Sequence, residues 1–166
     1  MSITPNKIIA QVLGSWKTNN EINLRVFKVI TTKGMQAEPP GSKGRTVKEQ
    51  LIHMYNVRYR WMEYNDPSLV ESIPKLTKEA NPTKAQIVSG FKKSAAIATK
   101  FIEKYLEEDK RIKYFGGSVL RWIFYLISHE SHHRGAILLT LKLNNMPVPD
   151  DVANEGVWAS WYSPGK

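Results

Sequence analysis

The sequence predicts an all-α protein, and more narrowly a four-helix bundle. Three observations carry this. Four stretches of helical length repeat apolar residues at three- and four-residue intervals. They open on capping residues and are separated by segments rich in Gly, Pro and polar residues. No convincing run of strand-like alternation appears, and there is no internal repeat. A chain of 166 residues suits one domain with a sizeable core.

Helix one is expected over 5–32. Thr4 followed by Pro5 reads as an N-cap and first helical position. Its inward stripe is Ile9, Val12, Trp16, Asn20, Asn23, Phe27 and Ile30. Asn20 and Asn23 interrupt an apolar seam, which implies either a hydrogen-bond network or amides facing a polar cavity. Lys33 to Lys43, with Gly34, Pro39, Pro40 and Gly41, reads as a loop. Helix two, 46–65, opens on the capping box Thr46-Val47-Lys48-Glu49. Val47, Leu51, Met54 and Trp61 form its core face, with Val57 beside them and His53 at the edge.

Residues 66–81 form another loop, and helix three follows over 82–109. Ile87, Phe91, Ser94, Ala98, Phe101, Ile102 and Tyr105 mark its buried side. Gly116-Gly117 gives a turn, Ser118 caps helix four over 118–145, and Pro147 and Pro149 end it. In the tail, 150–166, Trp158, Trp161 and Tyr162 should cover a core edge or line a pocket mouth. The first two connections are long and the last is short, so one neighbouring helix pair can run parallel.

Composition narrows the chemistry. There is no cysteine, which excludes disulfides, protein-thiolate catalysis and Cys-type zinc sites. The formal net charge of +9 raises nucleic acid as a partner. The lysines are dispersed without a basic block, so a solvated basic surface that attracts anionic substrates is the better expectation. The apolar run Val119–Leu143 is broken by Arg121, histidines and Arg134, so no membrane span is expected. The N-terminus lacks a basic region followed by an apolar one, which points to a cytoplasmic protein.

The chemistry concentrates in Ser128-His129-Glu130-Ser131-His132-His133-Arg134-Gly135. His129 and His133 stand one helical turn apart on a stripe with Trp122, Leu126, Ala136 and Thr140. Two adjacent inward-facing imidazoles are met more simply by one metal ion than by two separate sets of partners. Two metal readings compete. His129-Glu130-Ser131-His132-His133 matches H-E-x-x-H, which predicts a zinc hydrolase acting through metal-bound water with Glu130 as base. The position six past His133 is Leu139, so the third ligand would have to be Glu155 in the tail. In the other reading His53 joins His129 and His133, leaving an open coordination position and hence a catalytic or substrate-binding site. His132, on a more polar flank, is then a non-ligand, and Glu130 orients a ligand histidine or lies on the surface.

These residues resemble the DinB/YfiT-like superfamily of metal-dependent enzymes. The likeness runs through Trp16 and the helix-one asparagines, Thr46 to His53, His129 to Ile137, and Glu155-Gly156-Val157-Trp158. It implies an up-down-down-up bundle, with His53, His129 and His133 as ligands to zinc or nickel, and a homodimer. Ala136 departs from the glutamine that the family often has. Activities assigned in the family are mostly thiol-dependent transferases and isomerases. The first expectation is therefore a thiol-dependent S-transferase acting on a small molecule, with a low-molecular-weight thiol as co-substrate. Arg134 and Asn20 would orient an acidic substrate. The alternatives are the hydrolase based on Glu130, and a non-enzymatic DNA- or partner-binding bundle of the DNA-damage-inducible type.

Overall fold

A computed structural model describes residues 5–41 and 43–163, and these are all helix and connection, without a strand. Four long helices dominate: α1 (Pro5–Val29), α3 (Val47–Asn65), α4 (Lys84–Glu107) and α5 (Val119–Leu143). A one-turn helix, α2 (Thr32–Met35), lies between the first two. The all-α class read from the sequence is the observed one.

The helices start where the capping chemistry says they should. Thr46 and Glu49 make a reciprocal capping box at α3, and Thr83 and Gln86 make a second at α4. The Ser118 side chain accepts from the Arg121 N–H at α5. Thr4, the expected cap of α1, lies outside the described residues. Helix one ends earlier than expected, at Val29 rather than near residue 32. Two groups stop it. Thr31 caps α2 by accepting from the Gly34 N–H, and Lys84 donates to the carbonyls of Lys28 and Ile30. The first satisfies donors of a new helix and the second the orphan acceptors of the old one. Gly34, expected in a loop, is thus inside a helical turn.

α1 packs against α4 and α5, and α3 packs against the same two helices. α1 and α3 therefore face each other across the bundle. Trp16, Phe27, Leu51, Met54, Phe91, Phe101, Trp122 and Leu126 fill the space between, all essentially solvent-free. Phe27 meets Phe91 and Phe101 meets Trp122 edge to face, at 4.8 and 5.1 Å. Each such side chain contributes roughly 1.5–3 kcal/mol by leaving water.

The tail is helical, against expectation. Asp151–Ala159 is a π-helix continued by a last turn, α6 (Ser160–Tyr162), and both pack on α1. Its buried residues are Gly156 and Val157, whereas Trp158 and Tyr162 are 62% and 74% exposed. Trp158 and Tyr162 therefore do not cover a core edge, and Trp161 is the least exposed of the three at 37%. No helix among the described residues is long and apolar enough to cross a membrane.

Candidate metal centre

The 3.6-residue period of α5 puts His129 and His133 side by side, with ring centroids 4.5 Å apart. α3 brings His53 to both, at 5.1 and 4.8 Å between centroids. One nitrogen from each of the three rings lies within 4.8 Å of the others. The Nε2 atoms of His53 and His129 are 3.2 Å apart. Two imidazoles bound tetrahedrally to one zinc at about 2.0–2.1 Å would hold their nitrogens about 3.3 Å apart. The residues present therefore fit a divalent ion held by His53, His129 and His133. Nδ1 of His129 is buried and has no partner among the described residues. Tyr125 stacks on His129 at 5.6 Å, backed by Phe115 and Trp61.

All three imidazoles are held below their ordinary pKa, and the cause is chiefly burial. For His53 burial comes first, then the positive charge of Arg45. For His129 burial outweighs the opposing pull of Glu130. His133 is pushed down to about 4 by burial and then by its two neighbouring rings. Three neutral imidazoles at neutral pH are what a metal site requires. His132 is exposed, 5.2 Å from the His133 ring.

Behind the histidines lies a buried charged network. Glu130 is fully buried, which rules out the surface position considered for it. Its carboxylate accepts from Nε and Nη2 of Arg58 and from the amides of Asn19 and Asn23 at 2.7 Å each. The same two asparagines turn their oxygens to Arg134, at 3.3 and 2.7 Å, and Arg134 also donates to Ser131. The Arg58 guanidinium is sandwiched between the rings of Trp16 and Phe91, 4.7 Å from each. Asn20 donates within α1 to the Trp16 carbonyl. Of the polar break in helix one, Asn23 therefore belongs to a hydrogen-bond network, whereas Asn20 bonds within its own helix.

Of the residues named from sequence, His53, His129 and His133 come together. Glu130 and Arg134 join each other's network on the inner face of α5, and Asn20 joins neither group. Sequence reasoning missed Asn19 and Arg58. Arg58 carried a signal: it falls on the stripe Val47, Leu51, Met54, Met62 of α3, where a charge demands a buried partner. It also missed a cleft of about 530 Å³ beside His53, walled by Arg45, Asn56, Arg60 and Lys75.

Fold and site together define a helical bundle carrying three convergent imidazoles. The chain belongs to the DinB family, whose model matches residues 1–152. The likeness at Glu155 to Trp158 lies beyond the matched residues. No curated protein and no solved structure gives a significant match.

Proposed function

We propose that the chain is a metal-dependent enzyme that transfers a low-molecular-weight thiol to a small electrophile. The observation that carries it is the convergence of His53, His129 and His133, the first of which also lines an open cleft. Three protein ligands leave room for a substrate atom, whereas a structural site would be closed by a fourth. Zinc or nickel held there supplies Lewis acidity, which favours the ionised form of a thiol at neutral pH. The chain's own part is to keep three imidazoles neutral, to place them by packing α3 on α5, and to flank His129 with the stacked ring of Tyr125. Within this reading the protein works in the cytoplasm and pairs with a second copy; light scattering at several concentrations checks the dimer.

The hydrolase reading is less well supported. A general base must reach a proton on the reacting water. Glu130 is solvent-free, and Arg58, Asn19 and Asn23 occupy both of its oxygens. Its neighbours are those of a structural anion. The test is elemental analysis of untagged protein beside His53→Ala. About one zinc or nickel per chain, lost in the variant, supports the site. Turnover that depends strictly on added thiol, and is abolished by chelator, supports the transferase. A parent that resists reloading with either metal sinks it.

A further inference from the structure

The cleft beside His53 has an unusual wall. The segment entering α3 contributes Lys43 and Arg45, α3 contributes Asn56 and Arg60, and the 66–82 connection contributes Lys75 and Lys78. Two carboxylates oppose them, Glu49 and Glu79. Glu49 is already engaged, pairing with Lys78 and accepting from the Thr46 N–H. Among the described residues no ion pair joins Arg45, Arg60 or Lys75 to a carboxylate.

Exposed cations are ordinary on a basic protein, and a flat scatter of them would mean a solvated face. These line one concave volume together with a candidate metal ligand. A cleft whose wall carries an excess of one sign of charge, here five cations against Glu49 and Glu79, concentrates ligands of the other sign. Arg45 also acts electrostatically on His53, His129 and His133, so it stands at the junction of cleft and metal centre. The wall carries an unmet acceptor besides. The Asn56 amide donates to the Leu76 carbonyl, which fixes its orientation, and its buried oxygen meets no donor among the described residues. Such an acceptor costs free energy until a donor reaches it.

We propose that this cleft seats the co-substrate of the three-histidine site, and that the co-substrate carries an organic anion held by Arg45, Arg60 and Lys75. The assignment rests on the transferase reading for the thiol but not for the anion, and the test separates the two. Cobalt-loaded protein is titrated with 2-mercaptoethanesulfonate and with 2-mercaptoethanol, and binding is followed through sulfur-to-cobalt charge-transfer absorption. The sulfonate should bind about fivefold more tightly at low salt, with the gap narrowing as salt rises. In the double variant Arg45→Gln, Arg60→Gln, at unchanged cobalt content, the gap should fall below about twofold. Equal affinities in the parent, or a gap that survives in the variant, would overturn the assignment and leave the thiol reading standing. If neither thiol produces the absorption, the thiol reading fails and inorganic phosphate decides the anion site. Saturable shifts of the Arg45 and Arg60 Nε resonances in the parent would sustain it, and their absence would overturn it.

Discussion

Glu130 shows how one residue can be read two ways from sequence and only one way in the fold. Between two histidines it looks like a catalytic base; in the bundle it is the sole carboxylate of a buried group that also holds Arg58 and Arg134. Removing one partner of a buried pair leaves the other charge uncompensated, which typically costs about 3–5 kcal/mol. Glu130→Gln should therefore lose stability of that order in urea unfolding. A variant of parental stability that keeps its metal and loses turnover would restore the base assignment. His133 gives a second prediction. Its folded pKa of about 4 lies below the unfolded value near 6.5. As pH falls, the unfolded chain takes up protons first, so the metal-free protein is most stable above about pH 6.5 and loses stability toward pH 4. The depressed values at His53 and His129 act with the same sign. Thermal melts of chelated protein across that window should show a falling midpoint, flattened in His133→Leu.

Elements carry different predictions. α3 holds both His53 and Arg58, so its start matters to the site and to the network behind it. Thr46→Ala removes the cap on the Glu49 N–H and should cost about 1 kcal/mol, read as a lower unfolding midpoint. α4 meets α3 at Gly90, where a Cβ would lie 2.9 Å from the Tyr55 ring. That ring is buried and its hydroxyl donates to the Pro74 carbonyl at 2.6 Å, so it has little freedom to yield. An exposed helical Gly→Ala gains about 1 kcal/mol. Here overpacking should win, and Gly90→Ala should destabilise by about 1–3 kcal/mol in the same assay. Opposite α3, Tyr114 and Phe115 adopt left-handed backbone, with φ of 67° and 49°, just ahead of α5. That conformation is uncommon for bulky residues, and here it accompanies the packing of Phe115 on Trp61 at 4.8 Å.

At the scale of the molecule, metal and fold should be linked. The three imidazoles come from α3 and α5, so an ion bound to them ties two helices that the unfolded chain leaves apart. At a free concentration of about a hundred times Kd, a ligand specific to the folded state adds about 2.7 kcal/mol. Zinc or nickel should raise the melting temperature of the parent and leave that of His53→Ala nearly unchanged. An equal rise in both would place the metal elsewhere. The net charge of +9 acts at this scale too, and part of its effect is local, because Arg45, Arg60 and Lys75 gather at one cleft.

What the sequence determined by itself is whatever depends on neighbours along one helix. Capping boxes, the 3.6-residue stripes and the facing pair His129 and His133 need only three or four residues of context, and so they were legible. The union of His53 with that pair was also within reach, because no other histidine remains in the chain beyond His132. The tertiary structure decided the rest. Whether Glu130 met water or Arg58 depended on which face of α3 the bundle turned toward α5. The end of α1 depended on Lys84, which is distant in sequence. The π-helix of the tail packs on α1, more than a hundred residues upstream. The cationic cleft gathers residues from three segments, none of which forms a motif by itself. Local hydrogen bonding and periodicity act within a turn, whereas burial, ion pairing and cavity shape are set by elements that meet only when the chain has folded.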